Sequence, residues 1–537
     1  MNNSRFSIVL PIVIAVSLCA GFLVCFTLMG DYFDSQKKSP GAQKLEDVIN
    51  LLDAKYVDAI DKEKILEEAI AEMLHKLDPH SNYISAKDMK AMTESIEGNF
   101  GGIGVRFFKL RDTICVSSVI PNSPSERIGL KKGDQIVKIK GVNAAGVGIS
   151  NEEIMAKLKG EKGTSVAITV NRYGKLIPFT IKRGTIPIQT VSSAYMIQEE
   201  VATTKDIGYI KINQFSARTA REFRSAAVQL LNSGMKSLVL DLRNNGGGLL
   251  QGAIDIADEF LKSGLSIVRT DGRKIGSQVY KAKSGGVLED INVTVLINSR
   301  SASASEIVAG AIQDNDRGFI VGRRSFGKGL VQEDQKLRDG SIVRITIARY
   351  YTPSGRCIQR PYSGEYEEYY EDLTRTEESM FKIDSSIYVD SLKYTTIGGR
   401  TVYGGGGISP DVFVSLDTTG TNTYYSSLLW SGAFNQFAFD YVKRNKYFYN
   451  NGWGSVKAFI SEFEVTNRLL LEFQKYAKEE LSIQISESIE LLHCKDRLKT
   501  IIKAEIARQI WLENGFYSVY NEYDNEFMAA IRVLWMH

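Results

Sequence analysis

Three stretches of this chain could act together on a carbonyl carbon. Ser301-Ala302-Ser303-Ala304-Ser305 offers hydroxyls where a helix is expected to begin. Asn244-Asn245-Gly246-Gly247-Gly248 offers unhindered backbone N–H groups, and Gly322-Arg323-Arg324-Ser325-Phe326-Gly327-Lys328 ends in an amine. A serine hydroxyl attacks well only with a base beside it. Histidine is the usual base, yet the four histidines, His75, His80, His493 and His537, all lie outside the middle of the chain. The surroundings of Ser303 also lack the G-x-S-x-G elbow. If Ser303 is a nucleophile, its base is therefore expected to be a lysine. An ordinary lysine, with pKa about 10.4, is neutral only about one part in a thousand near pH 7, and burial among apolar groups raises that fraction. Lys328 stands between Gly327 and Gly329, which let backbone close around it, and the Gln332 amide could orient a neutral amine.

Each feature taken singly has a plainer meaning. Three glycines can be a tight turn, Ser303 a helix cap, and Lys328 an exposed cation. The stretch ending at Lys328 also fits the start of a phosphate-binding loop, G-x-x-x-x-G-K. It then places Gly329 where Ser or Thr would hold magnesium, and a strand-like stretch follows where a helix should begin.

The elements around these residues read as an α/β block. Ser237 to Leu242 and Asn292 to Ile297 are apolar strands that lead into the glycine turn and the serine turn, at the strand ends where open sheets bind ligands. Ser303 would open a helix running toward Asp314 and add the unpaired N–H of Ala304, while Gly246 to Gly248 can bring bare backbone N–H groups near a substrate carbonyl, as an oxyanion hole requires. Before this block, Gly98 to Gly184 has short strands between glycine turns. Gly102-Ile103-Gly104 there could hold a peptide carboxylate on backbone N–H groups while the peptide adds to a strand edge. Earlier still, Leu45, Val48, Ile49 and Leu52, then Ile65, Leu66, Ala69, Ile70 and Met73, repeat at helical spacing. The Leu77-Asp78-Pro79-His80-Ser81 turn ends that pattern. The run from Tyr362 to Asp372 reads as a solvated connection, and the chain beyond Ser426 as helices.

Asn244-Asn245-Gly246-Gly247-Gly248, Ser303-Ala304-Ser305-Glu306, Phe326-Gly327-Lys328-Gly329 and Gln332 together resemble the carboxyl-terminal processing peptidases of family S41, as does the interval from Ser303 to Lys328. The resemblance covers roughly residues 40 to 415. It implies an α+β multidomain chain, with an α/β core of the ClpP/crotonase type, an inserted β-rich PDZ domain and a helical N-terminal segment; the helical C-terminal extension lies outside it and is read from residue spacing alone. The expected boundaries are 1–30 for a transmembrane anchor, 38–95, 96–185 for the PDZ domain, 186–420 for the core and 421–537. By resemblance Ser303 is the nucleophile, Lys328 the general base and Gln332 the group that holds the lysine. Gly248 and Ala304 would supply the oxyanion hole, and Gly102, Ile103 and Gly104 would bind the apolar carboxyl-terminal tail of a protein substrate. A non-catalytic PDZ scaffold and an acyl-CoA enzyme are the alternatives.

The bulk composition bears on partners. In 537 residues, 66 Lys and Arg against 63 Asp and Glu leave a net charge of +3, which gives no electrostatic case for nucleic acid. Cys115, Cys357 and Cys494 have no paired spacing, so neither a disulfide framework nor a zinc site is expected, and no cofactor is called for. Ser7 to Met29 is apolar and uncharged, long enough for a membrane span, with no small-x-small exit before Asp31. It reads as an uncleaved single-pass anchor in a lipid bilayer. Together with the resemblance it places the chain in a bacterial inner membrane with its catalytic part in the periplasm. A homo-oligomeric assembly is left open.

Overall fold

The computed structural model describes residues 15–17, 20–21, 39–198, 206–375, 380–383, 388–445, 452–484 and 488–536. Residues 1–73 and 74–537 form two units. In the first, α1 (Pro40–Lys55) starts with the Ser39 hydroxyl accepting from the N–H of Ala42. Asp61 accepts from the N–H of Lys64 at 3.1 Å at the start of α2 (Lys62–His75).

The expected anchor needs correction. Ser7 to Met29 lies mostly outside the described residues. Among the described residues no helix is long and apolar enough to cross a membrane. The inner-membrane placement, the periplasmic orientation and the contact with a bilayer therefore do not stand.

In the second unit, β1 (Asn82–Ile84) follows the Asp78–Ser81 turn, and α3 (Ala86–Glu97) ends on Gly98 in the left-handed region. A β-rich domain comes next. Its β2 (Asn99–Gly102) pairs with β8 (Gly184–Pro187), the two strands that join it to the rest of the chain. Between them, β3 (Val105–Leu110), β4 (Thr113–Val119), β5 (Gln135–Ile139), β6 (Ser165–Arg172) and β7 (Lys175–Lys182) lie in that order in one sheet. Strand β3 is on the edge. Inward Ile114, Val116, Ile136, Val166, Ile168 and Val170 alternate along the strands to make its core, against α4 (Asn151–Leu158).

The α/β block holds a six-stranded sheet. In spatial order it runs β9 (Val191–Met196), β10 (Ile207–Ile212), β11 (Ser237–Asp241), β14 (Asn292–Ile297), β15 (Gly318–Gly322) and β18 (Val412–Phe413), all parallel except β9. Central strands buried on both sides read as unbroken apolar runs, as Ser237 to Leu242 did. One face packs on α5 (Thr219–Asn232), α6 (Leu250–Asp258) and α7 (Ala304–Asp314). A second, antiparallel sheet is built from β12 (Ser266–Gly272), β13 (Gly276–Lys281), β16 (Leu330–Lys336) and β17 (Ile342–Tyr351), with β1 paired to β17.

The run from Tyr362 to Asp372 is not a solvated connection. Tyr366–Arg375 is a helix, α8, and Tyr369 is buried against Phe326, His80 and Arg360. Tyr362, Tyr366, Tyr369 and Tyr370 are spaced for one helical face, a signal outweighed by the glutamates between them.

The carboxyl-terminal helices are α9 (Thr423–Trp430), α10 (Ala433–Arg444), α11 (Val456–Glu462), α12 (Asn467–Leu481), α13 (Ser488–Tyr520) and α14 (Asn525–Met536). Helix α13 bends at Trp511 and Leu512, where φ is −118° and 55°. Phe527, Ala530 and Ile531 of α14 cover the other face of the six-stranded sheet, on Tyr209, Val239 and Leu296.

Candidate active site

Ser303 sits at the N-cap of α7, as expected, but its backbone is not that of a capping serine. A capping residue is normally extended; Ser303 has φ 54° and ψ −112°. Positive φ is uncommon away from glycine and persists only where the surroundings enforce it. The enforcement here is visible. The Ser303 N–H donates to Glu306 Oε2 at 2.8 Å, and the Ser303 carbonyl accepts from the N–H groups of Glu306 and Ile307 at 2.9 and 3.0 Å.

The same carboxylate reaches the lysine loop. Glu306 Oε2 also accepts the Lys328 N–H at 2.9 Å, while Oε1 takes the Gly327 N–H at 2.7 Å and the Ser325 hydroxyl. Glu306 is fully buried, and burial raises its pKa against the opposing pull of these donors. A second tie comes from β17. The Tyr350 hydroxyl reaches the Lys328 carbonyl at 2.6 Å and the Ser303 carbonyl at 3.2 Å. Two side chains thus tie the backbone of the serine turn to that of the lysine loop.

The Lys328 amine donates to Gln332 Oε1 at 2.8 Å. Its pKa is lowered to about 8, first by burial and then by the charge of Arg344; Asp78 and Glu306 oppose this. Gln332 follows an irregularity in the β16–β17 register at Val331, a device that re-aims a side chain. Its other amide atom, Nε2, donates to the His80 carbonyl at 2.5 Å, which fixes the oxygen toward the lysine. That carbonyl is held by the turn. Asp78 Oδ1 accepts the N–H groups of His80 and Ser81, each at 2.8 Å, and Oδ2 accepts the Ser81 hydroxyl at 2.6 Å.

The His80 ring faces elsewhere. Its nitrogens lie 3.3 Å from the Tyr369 and Tyr370 hydroxyls, and burial, then Lys328, push its pKa down to about 3. It is uncharged across the neutral range and adds no positive charge beside the lysine.

The glycine turn presses against the serine turn. A Cβ on Gly247 would stand 2.7 Å from the Ala302 oxygen and 2.8 Å from Ser303 Cβ, and one on Gly248 would meet the Phe215 carbonyl. Buried Asn245 shapes the turn, its Oδ1 accepting the Gly247 N–H and its Nδ2 donating to the Ile212 carbonyl, each at 2.9 Å. The N–H groups of Gly248 and Ala304 donate to no protein acceptor among the described residues. Ser303, Lys328, Gln332 and Gly246 to Gly248 line one cleft of about 860 Å³, whose apolar wall includes Leu250, Ile307 and Val331.

Gly102, Ile103 and Gly104 are not in this cleft; they lie in the β-rich domain at the entry to edge strand β3. Ile103 is buried in that domain's core, so it can offer a ligand only backbone. The Ile103 carbonyl accepts the Ser125 N–H at 3.0 Å, and the Gly104 carbonyl accepts the Ile120 N–H at 3.0 Å and the Ser123 hydroxyl at 3.2 Å. Sequence reasoning gave Glu306, Tyr350, Asp78 and the His80 carbonyl no role at the site.

Family models match four parts of the chain. Residues 206–364 match peptidase family S41, 101–182 the PDZ domain, 30–88 the activating protease CtpB N-terminal domain, and 424–512 a family of unknown function. A carboxy-terminal-processing protease of Bartonella bacilliformis is 39% identical over 320 residues, 58% of this chain and 71% of that protein. A probable CtpA-like serine protease of Staphylococcus saprophyticus is 32% identical over 364 residues, 67% of this chain and 72% of that protein. The solved photosystem II D1 C-terminal processing protease is 26% identical and covers 71% of this chain and 88% of its own, at a TM-score of 0.37.

Proposed function

This chain belongs to peptidase family S41, the carboxy-terminal-processing serine proteases, and on that premise we propose that it cuts its substrates with a Ser303–Lys328 dyad. Neutral Lys328 takes the Ser303 proton as Oγ attacks the scissile carbonyl. The tetrahedral oxyanion is received by the free N–H groups of Gly248 and Ala304. The lysine ammonium then returns the proton to the leaving amine, which departs and leaves an acyl-enzyme. A water molecule gives its proton to Lys328 and attacks the ester, and the ammonium returns that proton to Ser303 Oγ as the new carboxyl group leaves. Gln332 positions the amine and takes no part in bond making. The substrate is a protein whose apolar carboxyl terminus binds at Gly102 to Gly104 and lies along the β3 edge. No step calls for a metal or cofactor.

What supports this reading most is the double tie of serine turn to lysine loop through Glu306 and Tyr350, around an amine poised near pH 8. A dead tail-binding scaffold, the other reading, would not need such a lysine. The test uses an unfolded protein with an apolar tail. Ser303→Ala and Lys328→Ala should both leave it uncut. Lys328→Arg keeps a cation but cannot yield a neutral base below about pH 12, so it too should be inactive. Turnover by Lys328→Arg would end the lysine-base assignment.

A further inference from the structure

The matched family at 424–512 comes with no stated function, and its placement suggests one. Its helices touch the PDZ domain on the sheet face away from that domain's own core. Phe439 of α10 meets Phe108 edge to face at 4.8 Å, and Leu110 and Cys115 are buried in the same apolar cluster as the helices. Arg111 pairs with Glu480 at 2.8 Å and Asp440 at 3.3 Å, and the Lys132 amine donates to the Gln509 carbonyl. Past the bend at Trp511 and Leu512 the same chain binds the peptidase sheet instead. Asn514 accepts the Ser193 hydroxyl and the Ala194 N–H, each at 2.9 Å, and Arg243 pairs with Asp524 and Glu526, each at 2.7 Å.

We infer that the carboxyl-terminal helices are a brace: α10, α12 and the first part of α13 grip the PDZ domain, and the chain after Leu512 grips the peptidase core. A domain joined to its neighbour by two strands and a modest interface is expected to move. Here it has a third, non-covalent attachment with an apolar centre and ion pairs at its edge. The consequence reaches the cleft, because α3 leads straight into β2 of the PDZ domain and contributes Met92, Ser95 and Ile96 to the cleft wall. Through the PDZ domain, the brace acts on the position of that wall. The inference concerns domain position and stands whether or not the Ser303–Lys328 assignment does.

Spin labels at Leu176→Cys in the PDZ domain and Ile275→Cys in the core, both exposed, would measure the separation in a full chain that keeps buried Cys115 and Cys494 and carries alanine at its other native cysteines. The braced protein should give one narrow distance distribution. Arg111→Glu should lose that narrow peak, and adding Asp440→Lys with Glu480→Lys should restore it. Arg111 is half exposed, so its reversal leaves both cores folded, which an unchanged circular dichroism melt would verify. A peak that stays narrow in both Arg111→Glu and Phe439→Ala overturns the inference. So does a broad distribution in the starting chain.

Discussion

A lysine works as a base only in the fraction that has lost its proton, so pH is the first lever on this site. With the Lys328 pKa near 8, kcat/KM should climb with rising pH and level off above about 8. Arg344 is one cause of that depression. Arg344→Gln should move the midpoint to higher pH, because removing a nearby cation makes the protonated lysine easier to keep; an unmoved midpoint would exclude that coupling. Glu306 can be tested apart from ionisation. Glu306→Gln leaves one acceptor oxygen for four donors and turns an N–H pair toward the rest. It should cost about 2–3 kcal/mol in chemical denaturation and lower kcat with KM little changed. Ser303 and Lys328 stand out in the sequence because each sits in a distinctive local string, and the structure brings both to one cleft. Glu306 does not stand out, since a glutamate three residues after a serine reads as an ordinary capping box.

At the scale of elements, the Asp78–Ser81 turn is legible as a helix stop but not as a support. Its partner Gln332 lies in a strand 252 residues away, and no local pattern reports such a contact. Asp78→Ala removes three hydrogen bonds to a carboxylate. It should free the His80 carbonyl, loosen Gln332 and cut kcat more than KM, as steady-state kinetics would show. Gly248→Ala should be worse, since its added methyl meets the Phe215 backbone and its φ of 139° disfavours a side chain. Alanine tolerated there with full activity would contradict the tight glycine turn. The alternation of strands and helices was plain because buried parallel strands are uniformly apolar. The edge position of β3 was not, because strand order is a tertiary fact.

Over the whole second unit, stability should depend on one ion pair inside the core. Arg356 and Asp314 pair at 2.7 Å with neither side chain exposed. Arg356→Ala would strand a buried carboxylate, at about 3–5 kcal/mol, readable as a lower denaturation midpoint. The sequence showed that the last hundred or so residues are helical but not what they cover, because a helical stripe says that a face is apolar and not which neighbour meets it. The apolar leader shows the reverse error, where composition was read as a membrane span. The shared Glu306 carboxylate has a consequence for how the enzyme fails on heating. One acid group latches the serine turn to the lysine loop, so neither segment can come adrift alone. Warming should extinguish proteolysis in a single step, with no temperature at which a half-armed enzyme turns over slowly.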